Sequence, residues 1–272
     1  MDQPPDPAPD LPPRSHIAWA PCWRIIPSRF PPISLFERVA APEDLDAVFE
    51  LEAMTNPRLR DEVGEISLVP PGERVSGPGS SIIMAAFTHL NPEGSRFSDG
   101  SFGVFYAAAA LETAIAETVY HRERFMRATA EKAMDLDMRV YLVDLKGELH
   151  DLRGRPEAFA AACHPTDYSA GQSLARRLRA AGAGGIVYHS VRHEAGLCAA
   201  VFRPHLLSNG RQERHLCYRW NGHRISDIYE KSRLSIQIGP LTPPDASCRT
   251  PPADRTGSRP SGHRDRHGRL RR

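Results

Sequence analysis

Proline is the residue that most constrains what this chain can fold into. Twelve of the 25 prolines lie in residues 1–14 and 240–260, where they exclude continuous helices and central strands. The full chain is 40% hydrophobic, which is ample for a buried core between these stretches. We therefore expect a Pro-rich disordered tail over residues 1–20, a folded domain over 21–238, and an Arg- and Pro-rich disordered tail over 239–272.

The formal net charge of +2 conceals a division between the body and the C-terminal end. Residues 249–272 contain eight arginines and two aspartates, a net charge of +6, so residues 1–248 carry −4. An acidic body argues against a specific nucleic-acid-binding face. A noncatalytic nucleic-acid-binding module that uses the basic tail is nevertheless kept as an alternative.

Apolar runs and cysteines bear on where the protein works. No run of 18 apolar residues is present, and the acidic, Pro-rich N-terminus does not resemble a secretory signal. We expect a cytoplasmic protein with no membrane partner. The cysteines are odd in number and form no Cys-x-x-Cys pair, which predicts reduced thiols at Cys22, Cys163, Cys198, Cys217 and Cys248.

Hydrophobic periodicity predicts short strands and a few unevenly placed helices, which favours an α+β fold with a single compact domain. The strands are expected at 23–26, 66–69, 139–145, 186–188 and 198–202, with a hairpin over 95–109 that turns at Asp99-Gly100. Helices are expected at 42–54, at 111–126, and from a capping box at Ser169–Gln172 to Gly182. Residues 55–93 are rich in Pro and Gly, which indicates an irregular excursion.

The polar residues near these elements are unremarkable when each is taken alone. Glu117 lies away from the apolar stripe of its helix and would be solvated on periodicity alone. Arg96 and Tyr106 flank the predicted hairpin, where surface pairs are common. Ser190 follows a strand but has no Gly-x-Ser-x-Gly elbow, so a triad nucleophile is not expected.

The order of these residues resembles the RES family, which is named for its arginine, glutamate and serine. The matching segments are Arg96-Phe97, Tyr106, Ala114–Glu117 and Ile186–Arg192. The resemblance extends over about residues 22–230. The family usually has Gly-Gly-Arg-Trp-Asn where this chain has Gly94–Ser98, but the arginine and an aromatic residue are kept.

The resemblance implies an ADP-ribosyltransferase-like fold with a mixed, split β-sheet, and an enzyme that degrades NAD⁺ as an NAD⁺ phosphorylase or glycohydrolase. It also implies a toxin with a cognate antitoxin protein as its partner. NAD⁺ would be the substrate, inorganic phosphate or water would be the acceptor, and no further cofactor is expected. Whether the chain forms a homodimer is left open.

Residue roles carried over from the family suit this reaction. Glu117 would stabilise the ribose cation that forms as nicotinamide leaves, with Arg96 and Ser190 as its catalytic partners. Arginines bind pyrophosphate by charge-assisted hydrogen bonds. The residues expected to bind substrate are Tyr106, Arg24, Arg29 and Arg192. Many family members have an arginine in an early strand about 20 residues before the position of Arg96, whereas Arg24 lies 72 residues before it. Residues of about 55–93 would then be an insertion, and Arg29 is a rival of Arg24 for this role.

A metal-dependent hydrolase is a further alternative. His189 and His193 are four residues apart, and Glu117, His121 and Glu194 could add ligands. That spacing gives a shared face only on a helix, whereas the residues before His189 have the pattern of a strand. We therefore expect no metal site.

Overall fold

The computed structural model describes residues 11–28 and 64–232, together with Glu37 and Leu234. Within these ranges the strands are β1 (Arg14–Pro27), β2 (Phe105–Ala108), β3 (Met134–Asp151), β4 (Gly185–His189), β5 (Leu197–Val201), β6 (Leu207–Trp220) and β7 (Ile225–Lys231). The α-helices are α1 (Ser80–Thr88), α2 (Leu111–Ala128) and α3 (Ser169–Ala180).

All of these strands join one mixed sheet, in the order β1-β2-β5-β4-β3-β6-β7. β1 pairs with both β2 and β3, so β1, β2, β5, β4 and β3 close into a ring. The pairing of β4 with β3 is parallel, and the other pairings are antiparallel. The predicted α+β class with a mixed sheet in a single domain is confirmed.

Three strands of the ring, β2, β4 and β5, are apolar on successive residues because both faces of the sheet are covered there. On one face, Val187 and Val201 pack into a cluster that includes α1. On the other face, Ile186 and Ala200 pack into a cluster with residues of α2 and α3. The uninterrupted apolar runs that predicted strands at 186–188 and 198–202 therefore reflect two-sided burial.

The two longer predicted helices are present. α2 begins at Leu111 as expected, although its most buried positions include Thr113 and Ala114, while the predicted apolar stripe is only partly buried. α3 begins at Ser169 as expected, but the prediction of a capping box at Ser169–Gln172 is wrong. Tyr168 is its N-cap without a side-chain hydrogen bond, and the Gln172 amide instead donates to the Ser95 carbonyl at 3.0 Å.

The predicted hairpin over residues 95–109 is also wrong. A single bridge joins Ser95 to Ser98, and β2 pairs with β5 through four residue pairs from Phe105↔Val201 to Ala108↔Cys198. Local turn chemistry at Asp99-Gly100 suggested a hairpin, but the apolar residues of β2 are buried more completely between β1 and β5. Non-local pairing therefore decides the structure of this segment.

The N-terminal boundary and the predicted insertion need correction as well. Residues 14–20, expected in a disordered tail, lie in β1. Ile66–Leu68 is a 3₁₀-helix and not a strand. The described part of the predicted insertion contributes α1 to the core, and Ile83, Met84 and Phe87 of this helix are buried.

Some predictions lie outside the described residues, namely the helix at 42–54 and the tail at 239–272. β6 and β7 were not predicted at all. They extend the sheet beyond β3 by antiparallel pairing, with polar residues on many of their positions. In the described part of the chain, none of the helices has the length and apolar character needed to cross a membrane.

Candidate functional site

A hydrogen bond between Ser190 and Glu117 lies at the centre of the site. The Ser190 hydroxyl donates to Glu117 Oε1 at 2.6 Å, across 73 residues of sequence. The backbone N–H groups of Arg192 and His193 both donate to Ser190 Oγ at 3.1 Å. A hydroxyl has one proton and two lone pairs. Because both lone pairs accept N–H bonds, the Ser190 proton points towards the Glu117 carboxylate.

Secondary structure explains why these two residues meet. Glu117 lies in the middle of α2, which packs against β1 and β2, and Ser190 directly follows the last residue of β4. Glu117 is half-buried, so the expectation from periodicity that it would be solvated is wrong. The Cys198 thiol lies 3.9 Å from the same carboxylate oxygen, and burial raises the pKa of this thiol, with the Glu117 charge as a further cause.

Arg96 is the buried cation of the site. It is 7% exposed, its Nη1 donates to the His164 carbonyl at 2.5 Å, and its guanidinium lies 4.8 Å from the centre of the Tyr168 ring. The charges of Arg96 and Glu117 act in opposite directions on the pKa values of two shared neighbours, Tyr188 and Cys198. Both side chains therefore lie close enough to Tyr188 and Cys198 for their charges to act on these two groups.

Tyr106 connects β2 to the segment that carries Arg96. Its hydroxyl shares a hydrogen bond of 2.7 Å with Ser95 Oγ and accepts one of 2.9 Å from the Phe97 N–H. Burial raises the pKa of Tyr106 to about 12, so the hydroxyl is neutral at physiological pH. This phenol positions the turn around Arg96.

Arg24 reaches the same region from β1. Its Nη1 donates to the Tyr106 carbonyl at 3.0 Å, and its guanidinium lies 4.5 Å from the centre of the Phe105 ring. Burial lowers the pKa of Arg24 to about 10, so the side chain still carries its charge at neutral pH. Arg29, the rival of Arg24, lies outside the described residues.

Arg192 lies in the loop that carries Ser190. Its guanidinium stacks on Tyr120 of α2, 3.3 Å from the ring centre, and donates to the Pro165 carbonyl. Arg96 donates to the adjacent carbonyl, that of His164. One short segment between β3 and α3 therefore contacts both arginines. Neither this segment nor Tyr168 was singled out by sequence reasoning, since nothing in their local pattern indicates a contact with Arg96.

The histidines of the metal-dependent alternative do not share a helical face in the structure. His189 is the last residue of β4, so the helical face that would align it with His193 does not exist. The His193 ring instead shares a hydrogen bond of 2.8 Å with the Thr113 hydroxyl. Across residues 11–28 and 64–232, no group of three His, Cys, Asp or Glu side chains is arranged to hold a metal ion.

Fold and site together define an α+β protein whose polar site combines a buried arginine with a hydrogen-bonded glutamate and serine. The RES domain model matches residues 73–221. The chain belongs to the RES family. The matched region begins at residue 73, so the last part of the predicted insertion, including α1, lies within it.

Two known proteins are similar to this chain. Uncharacterized protein y4oC of Sinorhizobium fredii (strain NBRC 101917 / NGR234) is 34% identical over 220 residues, which cover 80% of this chain and 90% of that protein. The crystal structure of the M. tuberculosis MbcT–MbcA toxin–antitoxin complex matches with a TM-score of 0.38 and 12% identity, over 76% of this chain and 87% of that chain. The TM-score of this second match is too low for it to support the fold assignment.

Proposed function

We propose that this protein cleaves NAD⁺ at the bond between nicotinamide and ribose. The observation that carries the proposal is the hydrogen bond from Ser190 to Glu117, in a chain of the RES family that also has a buried arginine, Arg96. These are the arginine, glutamate and serine for which the family is named.

The Glu117 carboxylate suits the electronic demand of this reaction. The nicotinamide ring of NAD⁺ already carries a positive charge, so it leaves without a general acid, and positive charge then develops on the ribose. A carboxylate aimed at the ribose stabilises this charge most strongly where water is excluded. Glu117 is half-buried and its Oε1 accepts the Ser190 hydrogen bond, so within the described part of the chain Oε2 is the oxygen that could face the ribose.

The arginines supply the complementary charge for the pyrophosphate. Arg24 and Arg96 donate to backbone carbonyls in this structure, and the oxygens of a bound pyrophosphate would accept stronger, charge-assisted hydrogen bonds from them. The hydroxyl of Tyr106 is already used within the fold, so Tyr106 would contribute its ring face to the nicotinamide. Binding then places the cationic ring near Tyr106 and the ribose near Glu117.

The acceptor of the ADP-ribosyl group is either water or inorganic phosphate. Water gives ADP-ribose, and phosphate gives ADP-ribose-1″-phosphate. The second reaction needs a cation for the phosphate, and Arg192 is the candidate because it lies in the same loop as Ser190. Depletion of NAD⁺ would make the protein a toxin, held inactive by a cognate antitoxin protein.

Mass spectrometry of purified protein incubated with NAD⁺, with and without phosphate, tests this function. The wild-type protein should release nicotinamide, and Glu117→Gln should lower kcat by about 100-fold or more, because the amide keeps the shape and loses the charge. Glu123→Gln is the matched control on the same helix, since Glu123 bonds to Arg127 and to the Ile225 N–H, away from Ser190. A folded Glu117→Gln protein that consumes NAD⁺ at the wild-type rate would refute the assignment.

Growth of cells that express the chain tests the toxin role separately. Induction of the wild-type protein should arrest growth and lower cellular NAD⁺, and induction of the Glu117→Gln variant should do neither. If cells grow normally although their NAD⁺ is depleted, the proposed enzyme activity is supported and the toxin role is refuted.

A further inference from the structure

The loop Ser190–Gly196, which joins β4 to β5, controls the geometry of the Ser190 hydroxyl. Both backbone N–H groups that occupy the Ser190 lone pairs, those of Arg192 and His193, belong to this loop. Two further backbone bonds close it, from Ser190 N to Gly196 O at 2.8 Å and from Gly196 N to His193 O at 3.0 Å. A shift of the loop therefore moves the oxygen that donates to Glu117.

Thr113 of α2 holds this loop by its side chain. Its hydroxyl shares a hydrogen bond of 2.8 Å with His193 Nδ1, and Thr113 is only 1% exposed. A Cβ atom at Gly196 would lie 2.7 Å from Thr113 Oγ1 and 2.8 Å from Thr113 Cγ2. The loop backbone thus packs directly onto Thr113, and only glycine fits at position 196.

Thr113 and Glu117 are four residues apart on α2, so they lie on the same face of the helix, one turn from each other. The loop therefore contacts one rigid element at two successive turns. At the first turn His193 bonds to Thr113, and at the second Ser190 bonds to Glu117. The helix that carries the carboxylate also sets the position of the serine.

We propose that Thr113 and His193 are positioning residues that hold the Ser190–Glu117 pair in its reactive geometry. The proposal rests on the proposed function, because it assigns these two residues to the same site. Neither residue has to contact substrate. They hold the loop so that its two N–H groups keep donating to Ser190 Oγ. The Ser190 hydroxyl then keeps its proton directed towards Glu117.

A set of variants on α2 separates this role from simple stabilisation. Thr113→Val keeps the shape and removes the hydroxyl, and Thr113→Ser keeps the hydroxyl. We expect kcat for NAD⁺ to fall by about 10- to 100-fold in Thr113→Val with little change in KM, and to recover in Thr113→Ser. Thr118→Val is the matched control, because Thr118 bonds at 2.8 Å to the Tyr218 hydroxyl and not to the loop. Its kcat should stay within about threefold of wild type.

A double mutant and a second single mutant make the test stricter. If Thr113 acts through Ser190, adding Thr113→Val to Ser190→Ala should cost almost nothing further in kcat, whereas independent effects would add. His193→Ala removes the same bond from the loop side and should reproduce Thr113→Val. Additive effects, or wild-type kcat in folded Thr113→Val and His193→Ala, would overturn the proposal.

A measurement without substrate keeps the two proposals distinguishable. Amide hydrogen exchange at Arg192 and His193 reports whether their N–H groups stay on Ser190 Oγ. Exchange should be faster in Thr113→Val and unchanged in Thr118→Val. If the wild-type protein fails to consume NAD⁺, the proposed function falls while faster exchange still supports the positioning role. Unchanged exchange in Thr113→Val would overturn that role on its own.

Discussion

Replacement of Ser190 by alanine tests the centre of the site most directly. The variant removes a short, charge-assisted hydrogen bond of 2.6 Å to Glu117 and leaves the N–H groups of Arg192 and His193 without their acceptor. A hydrogen bond to a charged group contributes about 1.5–3 kcal/mol. Because the loop is half-buried, water can reach part of the exposed polar groups and lower the cost.

We expect Ser190→Ala to lower the free energy of unfolding by about 1–2 kcal/mol, which corresponds to a fall in Tm of about 2–8 °C for a domain of this size. The loss of activity should be larger, about 100-fold in kcat, because the Glu117 carboxylate is then free to rotate away from the ribose. The two effects are measured by thermal unfolding and by release of nicotinamide from NAD⁺.

Ser80→Ala provides the control for the loss of a buried serine hydroxyl. Ser80 is 2% exposed and donates to the Gly77 carbonyl at 2.7 Å, at the start of α1 and on the other face of the sheet. Its Tm should fall by a similar amount with no loss of kcat. The reasoning would be refuted if Ser190→Ala, measured below its Tm, kept the kcat of Ser80→Ala.

Two further predictions concern charge. Arg24→Lys should raise KM for NAD⁺ by about tenfold, because one charge-assisted hydrogen bond is lost while the charge stays; an unchanged KM in steady-state kinetics would remove Arg24 from the substrate site. The hydrogen bonds from Arg153 lower the pKa of Asp151 to about 2, so the carboxylate stabilises the folded state above about pH 4, and this contribution is lost as the pH falls towards 2. Asp151→Asn should flatten that part of the pH dependence in urea unfolding, and parallel curves for both proteins would contradict the assignment.

Local sequence patterns predicted the elements whose structure depends on local interactions. α2 and α3 have helical periodicity, and β4 and β5 are uninterrupted apolar runs, so burial and propensity agree there. The hairpin predicted over residues 95–109 was wrong. Its turn residues favour a hairpin, but the apolar strand β2 is better buried beside β5. β6 and β7 were missed because their polar positions hide the period-2 pattern.

The site could be predicted only through the family resemblance. Glu117 meets Ser190 across 73 residues, and Arg96 meets the His164 carbonyl across 68, contacts that no periodicity encodes. Thr113 has no sequence signal of its own, since a threonine in the first turn of a helix is common. Its contacts with the Ser190–Gly196 loop are visible only in the folded structure.

Closure of the strand ring has a consequence for the order of events during synthesis. β1 pairs with β3, from Arg14↔His150 to Pro27↔Met138, and among the described strands β5 is the one that joins β2 to β4. The ring therefore cannot close before residues 197–201 have left the ribosome, and such non-local pairing forms slowly. The nascent chain therefore has no assembled Ser190–Glu117 site until these residues have emerged. If the protein consumes NAD⁺ as proposed, it cannot begin to do so before that point.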